Sequence, residues 1–177
     1  MTNLLAWAIF VHKSIGIFTT YEGEWKTMKT ILALDQSYRC TGWSVFDRES
    51  KELIDYGKFS GNTLLGCKDQ LVELINEWEP EVVLLESVQQ QRNVNTFKLL
   101  SELLGVLKVC VLERGIEFEE VHVMRWRAKN EIYAKDRADA KRQAQAKVQE
   151  LYNVKPTQDE AEAILIGRYF FLSRIEF

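Results

Sequence analysis

The sequence predicts an α/β fold whose five-stranded mixed sheet, an antiparallel meander of three strands joined to parallel strands, is flanked by helices. Three observations predict it. The extended runs "TILALD", "TGWSVFD" and "ELIDYGKFSG" follow one another with only turns between them, as in a meander. "EVVLLE" is apolar without alternation, as in a strand covered on both faces. The remaining apolar residues recur at helical spacing on either side of that run.

"TILALD" is apolar enough for a buried strand and closes on Asp35; a polar turn containing Arg39 leads into "TGWSVFD". "ELIDYGKFSG" completes the meander. A helix follows from about Thr63 to Trp78, with Leu64, Leu71, Val72 and Ile75 inward and Pro80 stopping it. "EVVLLE" closes on Glu86. A long helix from about Asn93 to Arg114 carries Leu99, Leu100, Leu103, Leu104, Val106, Leu107, Val109, Cys110 and Val111 nearly all round, so it must be covered twice. One face is expected on the sheet; the other is either a subunit interface or a second layer within the chain. "IEFEEVHV" supplies a fifth strand, followed by a basic segment, a helix from about Asp136 to Tyr152 and a last helix from Thr157.

Residues 1–27 read as a non-native or poorly ordered extension ahead of a single domain at 28–177. The apolar run from Leu4 to Val11 is too short to span a bilayer and lacks the preceding basic residue of a secretory signal. "MKTILALDQ" looks like a natural start leading directly into a strand, and the codons for Gly23-Glu24 can spell a purine-rich ribosome-binding sequence, so Met28 is expected to be the initiator.

Composition narrows the chemistry. With 46% hydrophobic and 28% charged residues the chain is an ordinary globular one, expected in the cytoplasm. Cys40, Cys67 and Cys110 form no CxxC, which argues against disulfides and a zinc site. Only His12 and His122 are present, so a histidine metal centre or a Ser/His/Asp triad has little to draw on. The net charge of -3 hides a basic window in which Arg125, Arg127, Lys129, Lys135, Arg137, Lys141, Arg142 and Lys147 face only Glu131, Asp136 and Asp139. Such a run suits a solvated helix face; with Trp126 and Tyr133 interleaved it also suits phosphate contact and base stacking.

Carboxylates carry what remains. Thr157 to Glu160 fits a capping box, and first-turn acids complement the helix dipole. Glu162 lies deeper and shares a face with Asp159, so their carboxylates project together and substitution of Glu162 by Gln is expected to relieve repulsion. Asp35 and Glu86 close two strands, where an open α/β sheet presents its ligand crevice. Together these acids make a histidine-free oxygen cluster of the kind that holds Mg²⁺.

"LALDQSYRCTGWSVF", "ESVQQQRNVNTFKLLSELLG" and "DEAEA" resemble, in order and spacing, the motifs of the RuvC-type Holliday junction resolvases of the RNase H-like (retroviral integrase) superfamily. The likeness covers about residues 29–172 and is nearest to bacteriophage members. It implies catalytic, metal-binding Asp35, Glu86, Asp159 and Glu162, with the Thr41-Gly42 pair after the first loop, Arg92-Asn93 in the second motif, and Lys141 stabilising phosphorane charge. It departs at Gln36-Ser37, where cellular members often have Pro-Gly, at Glu162 where Asp is usual, and at Gln89 where they carry an aromatic wedge.

The resemblance implies an endonuclease that cuts four-way junctions, forks and other branched DNA with two Mg²⁺ per site, Mn²⁺ being an expected substitute. It also implies a homodimer, joined through the helix at about 93–114. DNA contacts fall to Arg39, Gln89, Arg92, Asn93, Arg125, Trp126, Arg127, Lys129, Lys135, Arg137, Lys141 and Arg142. Rival readings are a non-catalytic branched-DNA-binding protein, a nuclease of RNA-DNA hybrids, and an actin-like phosphotransferase, which needs two such lobes.

Overall fold

The computed structural model describes residues 17–19, 25–90 and 93–174. The expected extension lies largely outside them; within it, β1 (Ile17–Thr19) and β2 (Trp25–Thr27) pair antiparallel. The initiator assignment to Met28 concerns the gene and has no structural counterpart.

The main sheet contains β3 (Thr30–Asp35), β4 (Thr41–Asp47), β5 (Leu53–Phe59), β6 (Val82–Glu86) and β7 (Glu117–Val121) in the order β5-β4-β3-β6-β7. β3 pairs antiparallel with β4, and β4 with β5, giving the meander; β3–β6 and β6–β7 are parallel. Successive strand residues point to opposite faces, so Ile31, Ala33, Val82 and Leu84 join one core layer while Leu32, Leu34, Val83 and Leu85 join the other. Double burial is why these strands read as apolar without alternation. Leu34 and Leu85 are register partners, fully buried, and each immediately precedes an acid. Truncating either to Ala would cost about 2–5 kcal/mol and loosen both acid-bearing strand ends.

One layer is closed by α1 (Leu64–Trp78) and α2 (Val94–Leu112). Thr63 caps α1 by accepting from Gly66 N–H, and the helix stops before Pro80 with Glu79 in a left-handed conformation. Its buried residues are Cys67, Leu71, Leu74, Ile75 and Trp78; the predicted Leu64 and Val72 are only half-buried because the inner stripe is rotated toward Leu74. On α2 the sheet-facing residues are Leu103, Leu107, Cys110 and Val111, while Val94, Leu99, Val109 and Leu112 remain exposed. Among the described residues, no second layer covers that outer face.

The opposite layer holds α3 (Val123–Lys129), α4 (Arg137–Tyr152) and α5 (Gln158–Leu172). The sequence marks no helix in the basic segment; α3 forms there because His122 Nδ1 accepts from Met124 N–H and Trp126 buries its ring. Ala140, Ala144 and Val148 lay a small-residue seam of α4 against α5. α5 is the central helix of this layer, buried from Ala161 through Gly167. Its first turn rests on β4 at Gly42, where a Cβ would collide with the backbone carbonyl of Asp159, so only glycine permits that approach. Ser44 fastens the same contact by donating to the Ala163 carbonyl at 2.9 Å.

Candidate active site

Asp35 and Glu86 end adjacent parallel strands, and α5 brings the turn carrying Asp159 and Glu162 across them. One ligand oxygen each from Asp35, Asp159 and Glu162 falls within 4.8 Å of the others. Glu86 stands beside this trio, in the same cleft of about 850 Å³. Glu162 is 6% exposed despite its charge.

Cations from two elements penetrate the cluster. Lys141 Nζ lies 2.8 Å from Asp159 Oδ1 and 3.4 Å from Glu162 Oε2, reaching over from the α4–α5 seam. Arg127 Nη2 on α3 lies 3.1 Å from Glu162 Oε1. The acids still outnumber them. Burial, together with the charges of Glu162, Glu86 and Asp159, raises the Asp35 carboxyl well above its ordinary range. Burial likewise raises Glu86, against a partly opposing hydrogen bond from Trp126. Burial pushes Asp159 the same way, but hydrogen bonds from Lys141 and Cys40 outweigh it and hold that carboxyl low. An oxygen-only, net-negative trio of this size, with Glu162 buried and the two aspartates half-buried, fits a hard divalent cation, which would supply the missing positive charge.

Gln36, noted in the sequence only as a departure, has a definite place. Its amide donates to the Glu86 carbonyl at 2.5 Å and accepts from Glu86 N–H at 3.1 Å, closing the gap between β3 and β6 just past their last paired residues. Glu86 is therefore held at its backbone by Gln36 and at its side chain by Trp126, whose Nε1–H donates to Oε1 at 2.7 Å.

The residues expected to touch DNA separate into groups. Arg39 and Arg137 are exposed, Gln89 is half-buried, and all three line the cleft; Gln89 donates weakly to Ser87 at 3.3 Å. Arg125, Lys129 and Lys135 are exposed, and Arg142 is exposed but paired with Asp139 at 3.0 Å. Asn93 turns its side chain inward to cap α2, accepting from Asn95 N–H and Thr96 N–H. Arg92 lies outside the described residues. One assignment needs correction: Trp126 is 1% exposed and cannot stack on a base, because its ring is core and its N–H belongs to Glu86. Arg127 is half-buried on the cleft lining, with its guanidinium 3.1 Å from Glu162.

Sequence reasoning missed Cys40, which donates to Asp159, and Asn130, which is fully buried and donates to the carbonyls of Trp126 and Leu165. Cys40 sits in the first-hairpin motif, but its partner Asp159 lies far away in sequence; Asn130 belongs to no motif, and its link to Leu165 spans 35 residues.

The chain matches the family described as crossover junction endodeoxyribonuclease RuvC over residues 31–167. The crossover junction endodeoxyribonuclease RuvC of Protochlamydia amoebophila (strain UWE25) is 30% identical over 150 residues, covering 77% of this chain and 87% of that protein. T. thermophilus RuvC in complex with a Holliday junction substrate superposes with a TM-score of 0.67 at 14% identity, over 81% of this chain and 93% of that one. Fowlpox virus resolvase, solved with substrate Holliday junction DNA, gives 0.61 at 15% identity, over 83% and 99%. At these identities the two structures speak for the fold.

Proposed function

Because this chain belongs to the RuvC family of crossover junction endodeoxyribonucleases, we propose that it cuts Holliday junctions and other branched DNA by Mg²⁺-dependent phosphodiester hydrolysis. The observation that carries the metal assignment is the trio Asp35, Asp159 and Glu162, with ligand oxygens within 4.8 Å of one another and no histidine or cysteine among them. Oxygen-only ligation favours Mg²⁺, with Mn²⁺ as a substitute. When bound as a pair, such ions would supply activation of water and charge stabilisation of the leaving oxygen.

The protein's own groups do the rest. The trio and the second carboxylate oxygen of Glu86 would hold the ions. Lys141 exchanges its carboxylate partners for a phosphate oxygen and neutralises charge developing there. Arg39 and Arg137, exposed on the cleft, meet the DNA backbone on entry, and Gln89 borders the same path.

Two active sites are needed for symmetric nicks. The exposed Val94, Val109 and Leu112 on the outer face of α2 support a homodimer seam at that helix. No described helix is long and apolar enough to cross a membrane, and the reading places the enzyme in the cytoplasm with its DNA.

The test is incubation of the protein with a four-way junction, a fork, a linear duplex and an RNA-DNA hybrid, each with and without Mg²⁺. Paired nicks in the junction only when Mg²⁺ is present are expected. Binding without cutting would return the protein to the non-catalytic class, and preferential cutting of the hybrid would overturn the junction assignment.

A further inference from the structure

Helix α3 is short, yet its two consecutive residues Trp126 and Arg127 reach acids on different elements. Trp126 Nε1–H donates to Glu86 Oε1 on β6 at 2.7 Å, and Arg127 Nη2 meets Glu162 Oε1 on α5 at 3.1 Å. An indole N–H has one hydrogen to give and no acceptor, so a buried one commits to a single partner. Trp126 is 1% exposed, and its ring packs into the layer formed by Ile132, Ala161 and Leu165. The ring cannot turn without vacating that core.

The helix is also fixed from below. Asn130, fully buried, donates from one amide nitrogen to the Trp126 carbonyl at 2.8 Å and to the Leu165 carbonyl at 3.0 Å. Arg168 on α5 in turn donates to Asn130 Oδ1 at 2.8 Å. Leu165 is one turn beyond Glu162. The backbone of Trp126 is thereby tied to the helix that supplies two of the acids, while its side chain holds an acid of the sheet.

We propose that Trp126 is a positioning residue for the metal site: it occupies one oxygen of Glu86, aims the other into the cleft, and does so from a helix that Asn130 locks to α5. The inference rests on the metal-dependent reading above, because it assigns Glu86 a ligand role. It explains why an aromatic residue inside a basic segment is buried instead of offered to DNA. Hydrogen bonds that orient ligating side chains are worth about 10–100-fold in metal affinity or activity.

The test uses the whole chain with Mg²⁺ alone, and then with junction DNA. Trp126→Phe keeps most of the ring and removes the N–H. Thermal-shift titration with Mg²⁺ and cleavage rate against Mg²⁺ concentration should both need about tenfold more ion for half-effect, while the rate at saturating Mg²⁺ falls much less. A merely structural role would lower the melting temperature and leave the ion dependence unchanged, and that result overturns the proposal. A readout on the unaltered protein covers the case in which the variant does not fold. In that protein the assigned Trp126 indole N–H resonance should shift on Mg²⁺ titration, and a fixed resonance while Mg²⁺ raises the melting temperature would also overturn it. If Mg²⁺ neither stabilises the unaltered protein nor supports cutting, the metal-dependent reading itself fails, and the clamp with it.

Discussion

Lys141 Nζ stands 2.8 Å from Asp159 Oδ1, with Glu162 Oε2 at 3.4 Å, so a lysine of one helix bridges two acids of the next. Burial works to lower the Lys141 ammonium, yet the hydrogen bond to Asp159 and the surrounding carboxylates outweigh it and raise its pKa. In the metal-free protein this cation, with Arg127 on Glu162, offsets the repulsion among the acids.

Lys141→Met should therefore act on stability and catalysis in separable ways. Removing a mostly enclosed partner from a carboxylate pair leaves uncompensated charge, and with side chains 16% and 28% exposed a loss of about 2 kcal/mol is expected in EDTA. Mg²⁺ should restore more melting temperature to the variant than to the unaltered protein, since the ion replaces the missing charge. Cleavage should remain at least about a hundredfold down even at saturating Mg²⁺, because the ion does not replace the lysine at the phosphate. Equal Mg²⁺ shifts in both proteins would show that Lys141 does not neutralise the ion's ligands.

The acid cluster also predicts a pH dependence, and its sign follows from two opposed sets of groups. Asp35 and Glu86 are raised above 3.8 and 4.5, chiefly by burial. As pH climbs from those ordinary values to the folded ones, the unfolded chain has already lost protons that the native protein keeps, so stability falls; above the folded values the penalty is complete. Asp159, held low by Lys141 and Cys40 against its own burial, contributes stability above 3.8 that disappears as pH falls through its folded value. Urea unfolding in EDTA should find the protein more stable at mildly acidic than at neutral pH. With Mg²⁺ the decline should flatten, because the ion binds the ionised acids of the native state. A stability that rises steadily to neutral pH in EDTA would contradict the burial of these carboxyls.

How legible the molecule is in its sequence depends on range. The strands and long helices can be read because burial on both faces, or on one stripe, leaves a local imprint: "TILALD" and "VVLLE" are uniformly apolar since each sits between two helical layers. The acids are legible because strand ends and a helix start are positions the sequence marks. Their supports are not. Gln36 meets Glu86 across 50 residues and Trp126 meets it across 40, and nothing near any of them signals the partner. For the same reason Trp126 reads as a DNA contact: an aromatic between cations has the same local pattern whether it faces solvent or a buried carboxylate.

For DNA binding, the exposed cations are the ones to change. Neutralising Arg125, Lys129 and Lys135 together, all solvent-exposed, should weaken binding to junction and duplex alike and reduce the salt slope by about 0.9 log units for each phosphate the protein no longer neutralises. Arg127→Gln should leave that slope almost untouched, since its guanidinium is engaged by Glu162. Binding titrations at several salt concentrations distinguish the two sets; a slope change for Arg127 equal to that of the exposed residues would put it on the DNA surface.

The neighbouring acids Glu160 and Glu162 give the sharpest separation of structure from chemistry. Glu160 accepts from Thr157 N–H at 2.6 Å and completes the capping box of α5. Glu160→Ala should lower stability by about 1 kcal/mol and leave cleavage nearly intact. From sequence, neutralising Glu162 is expected to relieve repulsion, because only its acidic neighbours are visible there. The structure adds Arg127 at 3.1 Å and Lys141 at 3.4 Å, both direct ion pairs. Without them the half-buried Arg127 loses its direct acidic contact and Lys141 loses one of its two, which outweighs the repulsion relieved at Asp35. Glu162→Gln should then destabilise the metal-free protein by about 1–2 kcal/mol and slow cleavage at least about a hundredfold, roughly 2.7 kcal/mol of barrier. Glu162→Asp keeps the charge and should remain active with Mg²⁺. Thermal melts in EDTA and junction-cleavage rates on these three variants check the assignment: a Glu162→Gln protein that cuts like the unaltered one would remove Glu162 from the metal site.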